Sequence, residues 1–366
     1  MPPRKFIRTT PSKNSKKSTN KLTPKPKPLV SVLISRKIRV HQLAETVRAG
    51  AEIVAENVAL PSAGQVLIRN RFAGINALFD RAVVRDELPY RLINPPFDLG
   101  VEAVGVVVAV GQGVENLKVG HFVSTTRFTQ SYREYQTESA DKVWQIPALH
   151  PAYVALRPTA VSALVALEQV GQLKDGETVA VTAAAGGLGQ FVVQFAKMRG
   201  CRVVGICGGA HKVAFLRQLG CDAIIDYRTE NVGQALQEFS PKGIDLIYDT
   251  VGGVLFDTLL NHLAVRGRVV VSGYASDMGR PELPELVTSP RIYTQIYWKA
   301  AQIRCFQNAL YPEFQDDASR RILAWYHAGL LQVKLDERRF KGIEQVFDAI
   351  DYHLSGQNVG KVWIEL

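Results

Sequence analysis

Between Val179 and Ser272 short apolar runs alternate with stretches of helical spacing, and this alternation constrains the fold more than any other feature of the chain. Val179–Thr182, Arg202–Ile206, Ala223–Asp226, Ile244–Tyr248 and Arg268–Ser272 read as strands. Gly187–Arg199, His211–Leu219, Val232–Phe239 and Gly253–Ala264 read as the helices between them. Strands that are apolar throughout need cover on both faces, and strand–helix repetition provides it. The segment from residue 157 to 307 therefore predicts an α/β, doubly wound parallel sheet. Residues 29–156 differ: Gly64–Phe72 and Ala103–Val110 are strand-like, turn signals are frequent and helical spacing is scarce, so that part reads as mainly β. Residues 308–366 are mixed and close on the strand-like Lys361–Glu365.

The sharpest local signal follows the first of these strands. Thr182-Ala183-Ala184-Ala185-Gly186-Gly187-Leu188-Gly189-Gln190 leaves a predicted strand and opens a predicted helix. Missing side chains let the backbone approach a pyrophosphate, Gly189 lets the helix pack close on the strand, and the helix N-terminus offers free N–H groups to the anion. Ala184, Ala185, Gly186, Gly187, Leu188 and Gly189 are accordingly the expected phosphate-binding run, although Ala184 stands where a plain G-x-G-x-x-G pattern has its first glycine. An NAD site has Asp or Glu about 20 residues later, on the ribose 2′-hydroxyl. Here that point is Cys207-Gly208-Gly209, followed by Lys212, with Tyr227 and Arg228 after the next strand. A carboxylate repels a 2′-phosphate and a lysine attracts it, so the expected cofactor is NADPH.

Composition narrows the remaining classes. The 366 residues suit two domains, and no run of roughly 18 apolar residues marks a membrane span. Of the net charge of +10, twelve Lys or Arg with no Asp or Glu fall before Glu45, which leaves −2 for the rest. The basic character belongs to a tail, not to a whole-protein nucleic-acid footprint. Residues 1–28, rich in Lys, Pro, Ser and Thr, read as a disordered basic tail. The expected location is cytoplasmic, or organellar if that tail is a transit segment; its Lys and Pro content departs from the Arg-rich transit pattern. Cys201, Cys207, Cys221 and Cys305 form no C-x-x-C pair and read as reduced core thiols. His121, in a turn, reads as a surface residue.

Several stretches in order resemble one superfamily. Gly100-Val101-Glu102-Ala103-Val104-Gly105-Val106-Val107-Val108-Ala109-Val110-Gly111 is similar to its G-x-E-x-x-G-x-V-x-x-V-G signature. Asn70–Ala77, Ala183–Gly189, Asp249-Thr250-Val251-Gly252-Gly253 and Asn358-Val359-Gly360-Lys361 match as well. Residues 29–366 thus resemble the medium-chain dehydrogenase/reductases, in the prostaglandin reductase 3-like and quinone oxidoreductase branch. The resemblance implies a GroES-like catalytic domain built from both chain ends, an inserted Rossmann domain, an active site in the cleft, and a homodimer. It implies Lys212 and Tyr227 at the 2′-phosphate, Asn358 near the nicotinamide end, and Gly273 and Tyr274 on a strand-end loop facing the nicotinamide. The zinc-dependent branch has His before the signature Glu, where this chain has Val101, and needs cysteines absent here before Cys201. No metal is expected, and conjugate reduction of an enone or quinone is favoured over alcohol oxidation.

In that reaction the cofactor supplies hydride and the protein supplies position and electrostatics. Asn76 is the expected orienting side chain, Phe79 the pocket wall and Tyr274 the proton donor, with Tyr293 and Tyr297 as rivals. Leu78-Phe79-Asp80 stands where this branch often has Ser-Asp or Tyr, which puts the catalytic hydroxyl in doubt. Glu102 is expected to hold the domains together through hydrogen bonds. The alternative reading is a non-catalytic NADPH-binding protein that uses its basic tail on a partner or RNA.

Overall fold

The computed structural model describes residues 33–276 and 292–366; the expectations for the basic tail lie outside them. The compact unit Ile34–Leu366 holds everything below.

The alternating segment folds as a six-stranded sheet in which every paired strand is parallel. Its strands are β9 (Thr178–Val181), β10 (Arg202–Cys207), β11 (Ala223–Asp226), β12 (Ile244–Asp249), β13 (Leu263–Val271) and β14 (Gln302–Cys305), in the order β11-β10-β9-β12-β13-β14. The chain walks outward from β9 to β11, then returns to the other side of β9. The loops after β9 and β12 diverge, which opens a crevice at the carboxyl ends of those two strands. Strand β11 and helix Val232–Phe239 have the bounds their sequence predicts. Helix Gly253–Asn261 ends before Ala264, and β13 begins at Leu263 instead of Arg268. The pairing with β12 shifts between Ile244 and Leu246, and Arg266 sits at φ 63°, an irregularity that makes this stretch read as a break.

A second sheet joins the two ends of the unit. β3 (Gln65–Gly74), β5 (Glu102–Val110), β6 (Phe122–Thr126) and β8 (Trp144–Ile146) pair antiparallel, β7 (Tyr135–Ser139) lies on β3, and the C-terminal β15 (Trp363–Glu365) pairs with β3, Trp363 opposite Gly74. A three-stranded sheet of β1 (Ile34–Val40), β2 (Ala51–Asn57) and β4 (Phe97–Asp98) adds to this side. The architecture is a GroES-like sheet domain plus a Rossmann domain. The expected boundaries near 156 and 307 fall between β8 and β9 and after β14.

Two helices depart from the sequence reading. Ala77–Val84 forms a helix that buries Ala77, Asp80, Ala82, Val83 and Val84 in a segment read as mainly β. Pro312–His327 is a helix of 16 residues, with Pro312 in its first turn and Ala318, Ser319 and Ile322 turned inward. Among the cysteines, Cys201 and Cys207 are buried and Cys221 partly so, but Cys305 is exposed, since it ends the outermost strand of the parallel sheet. That corrects the reading of Cys305 as a core thiol. His121 is half-buried, its Nδ1 accepting from the Lys118 amide.

Candidate active site at the switch-point crevice

The glycine turn leaves β9 into helix Gly189–Met198. Ala184 and Ala185 are buried; the Ala184 amide donates to Ile206 O and the Ala185 carbonyl accepts from Gly360 N. Those two residues build the turn from inside, with Ala183 at φ 45°. The amides of Leu188 and Gly189 donate no hydrogen bond among the described residues, while that of Gly187 faces Gly360 O across the parallel bridge between Gly186 and Gly360; Leu188 at the N-cap provides no side-chain cap. Two consecutive free N–H groups at the start of a helix of 10 residues make an anion cradle. A Cβ at Gly189 would lie 2.7 Å from Ala184 Cα and closer still to Ala183 O, so the turn requires glycine there.

The next strand end, Cys207-Gly208-Gly209, is bordered by cations. Lys212 is half-buried, has no carboxylate partner among the described residues, and donates from Nζ to Gly356 O at 2.7 Å. Burial, joined by the nearby Arg228, lowers its pKa. Arg228 is exposed and forms no ion pair among the described residues. The exposed Tyr227 lies against Gly208, where a Cβ would meet its hydroxyl at 2.5 Å. The carboxylate of Asp226 is turned to backbone, accepting the amides of Gly209 and Arg228.

On the facing side, Asn76 precedes helix Ala77–Val84 but makes no side-chain cap. Its Nδ2 donates to Glu102 Oε2 at 2.7 Å and its Oδ1 accepts from Lys361 Nζ at 2.8 Å. Lys361 also pairs with Glu102 Oε1 at 2.8 Å and donates to Thr159 Oγ1 at 3.2 Å. Glu102 and Lys361 are both buried, and desolvation pushes the Glu102 pKa up. Glu102 and Lys361 thus hold the Asn76 side chain between them, and the Lys361 segment also meets the glycine turn. Gly186 bridges Gly360 in parallel. Asn358 is buried and spends its Nδ2 on Gly360 O at 2.9 Å, so it shapes this segment from within.

Below Asn76 lies a second buried pair. Tyr132 OH donates to Asp80 Oδ2 at 2.7 Å and accepts the Asn76 amide at 3.4 Å. Burial raises the Asp80 carboxyl to about 7. Phe79 is half-buried and packs edge-on to Phe128, centroids 5.3 Å apart. Gly273 lies against Thr250, where a Cβ would meet the carbonyl at 3.1 Å. Tyr274 is 45% exposed; burial first, then Glu87 on the opposing side, raises its pKa. Tyr293 and Tyr297 are more exposed still. Thr182 Oγ1 donates to Asp249 Oδ1, which with Oδ2 receives the Val251 and Gly252 amides and fixes the loop beneath Gly273.

The residues missed from sequence are Lys361, Tyr132 and Asp80. Lys361 ends the matched stretch Asn358–Lys361, and Gly74 in the matched stretch Asn70–Ala77 is the other clue. A Cβ on Gly74 would strike the Glu102 carboxylate and lie 2.9 Å from Lys361 Cε. Among the described residues no three His, Cys, Asp or Glu side chains form a metal-holding group, and no helix is long and apolar enough to cross a membrane.

Residues 62–155 match the alcohol dehydrogenase GroES-like domain, and residues 187–310 match the zinc-binding dehydrogenase family. The chain is 37% identical over 323 residues to prostaglandin reductase-3 of Mus musculus, covering 84% of this chain and 83% of that protein. It is 34% identical over 339 residues to a probable quinone oxidoreductase of Leishmania amazonensis, covering 90% and 98%. The fold matches Escherichia coli quinone oxidoreductase, crystallised with NADPH, with a TM-score of 0.77 at 23% identity over 90% of this chain and 100% of that one. With these similarities and the two-domain architecture together, the chain belongs to the medium-chain dehydrogenase/reductases, in the zinc-free branch of prostaglandin reductase 3 and the quinone oxidoreductases.

Proposed function

We propose that the protein is an NADPH-dependent reductase that delivers hydride to the activated double bond of small enones or enals, or to quinones, without a metal ion. The observation that carries this reading is the pair of uncommitted amides at Leu188 and Gly189, with Lys212 and Arg228 lacking carboxylate partners at the next strand end. The amides suit a pyrophosphate and the cations suit a 2′-phosphate, which NADH lacks. Bound there, NADPH supplies the hydride. Phe79 and Phe128 give the cleft an apolar wall, and Asn76 retains one N–H for an oxygen that gains charge. Tyr274 is the half-exposed hydroxyl for the proton, with solvent as the competing source.

The homodimer belongs to the same reading. Among the described residues β14 has no strand on its outer edge, and Tyr297 and Trp298 nearby in sequence are exposed. Light scattering should give twice the chain mass. We take the cytoplasm as the compartment, on the Lys- and Pro-rich character of residues 1–28. Imaging of full-length and tail-deleted protein decides against an organellar transit role if both distribute alike.

The test is NADPH consumption with an enone and quinone panel, with products identified by mass spectrometry, for the full chain and for protein lacking residues 1–28. Turnover unaffected by the deletion supports the enzyme. Tight NADPH binding without turnover, joined to tail-dependent RNA binding, supports the non-catalytic alternative. A saturated carbonyl product selects double-bond reduction, and a hydroquinone selects quinone reduction.

A further inference from the structure

We propose that Lys361, together with Glu102, fixes which way round the Asn76 carboxamide sits, and that Lys361 is therefore a positioning residue for hydride transfer; this rests on the reductase reading above. An ammonium only donates and a carboxylate only accepts. Asn76 Oδ1 must then face Lys361, and its Nδ2 must face Glu102. The reverse orientation would set the amide oxygen against a buried carboxylate and the NH₂ group against a buried ammonium. An asparagine at a helix N-cap normally spends its oxygen on the helix, and Asn76 does not. Its side chain is held for another purpose. Lys361, Glu102 and Thr159 are buried while Asn76 is half-buried, so the network presents a single uncommitted amide N–H from its most accessible member.

The lysine stem ties this orientation to the phosphate turn. Lys361 passes between two glycines: a Cβ on Gly74 would lie 2.9 Å from its Cε, and one on Gly187 would lie 3.4 Å from its Cδ. Its neighbour Gly360 donates to Ala185 O at 2.7 Å. Hence one residue touches the turn that receives the nucleotide and the amide that faces the substrate. With both Lys361 and Glu102 replaced by neutral side chains, the amide has no charge to choose its orientation, and donor and acceptor can exchange places at the same spot.

The test is a double-mutant cycle on the full chain. Glu102→Gln with Lys361→Met keeps the buried charge balanced and the volumes similar. We expect kcat to fall on the order of 10-fold or more, since misplacing a catalytic contact has that effect. NADPH affinity, read by fluorescence titration, should move less than about threefold, because the phosphate amides remain. Asn76→Ala should cost the wild type about as much as the double change does, yet cost the altered background less than about twofold more, the non-additivity of residues acting as one unit. The primary isotope effect on hydride transfer should rise as the chemical step becomes limiting. If the double variant fails to fold, Glu102→Gln with Lys361→Gln, which is also charge-balanced and keeps hydrogen-bonding groups in the buried space, runs the same cycle with the same expected non-additivity. Equal cost of Asn76→Ala in both backgrounds, or unchanged kcat in the folded variant, overturns the inference. A wild type that turns over while the cycle is additive sinks only this inference. A wild type that neither binds NADPH nor reduces any panel member sinks the reductase reading itself.

Discussion

Asp80 offers a prediction whose size can be worked from its surroundings. The carboxyl is 1% exposed, accepts a hydrogen bond from the fully buried Tyr132 and has no cation bonded to it. Burial raises it to about 7, from an ordinary 3.8. The folded state therefore keeps a proton that the unfolded chain has released, and stability falls as pH rises between those values. At 1.36 kcal/mol per pH unit this amounts to about 4 kcal/mol in all, with about 3 kcal/mol lost between pH 5 and 8. Asp80→Asn keeps the shape and the acceptor for Tyr132 but cannot ionise. Urea unfolding of both proteins across that range should show the variant gaining about 3 kcal/mol on the wild type. A stability difference that stays constant with pH, or that turns towards the wild type as pH rises, would refute the reasoning.

Other perturbations follow from the same geometry. Lys212→Ala should weaken NADPH by about 10- to 100-fold, the loss of one charge-assisted contact, with little effect on NADH; equal loss for both in parallel titrations contradicts the assignment. Gly189→Ala sets a methyl group against the Ala183 carbonyl and Ala184 Cα. Cofactor binding and thermal stability should fall together, and a variant that binds normally would show that the turn has room. Burial lowers His353, whose Nδ1 accepts the Ala77 amide, to about 4 from 6.5. Its folded value lies below its unfolded one, so stability is lost as pH falls from 6.5 towards 4, by about 3 kcal/mol at most. His353→Asn should flatten that limb of the acid-denaturation profile.

The parallel sheet could be read from the chain because its strands are apolar on both faces and its turns carry glycine, both local features. Helix Ala77–Val84 escaped because it spans little more than two turns, ends in the β-branched Val83 and Val84, and begins at an asparagine that does not cap it. Helix Pro312–His327 was lost among mixed polar residues, since few of its side chains are buried. The glycine turn could be located from its residues, but only the structure separates Ala184 and Ala185, which build it, from the amides of Leu188 and Gly189, which are free. The contacts of Asn76 could not be foreseen in the same way. Glu102 is 26 residues away and Lys361 is 285, and nothing in local spacing links them. Gly74 and Gly187, the glycines between which the lysine passes, are the trace of that contact left in the sequence.

A crystal structure of the full chain grown with NADPH addresses the central claim most directly. The pyrophosphate oxygens should lie within hydrogen-bond reach of the Leu188 and Gly189 amides, with the 2′-phosphate against Lys212 and Arg228. Nucleotide bound elsewhere, or those amides turned to protein acceptors while Lys212 stays on Gly356 with no phosphate near it, would contradict the account.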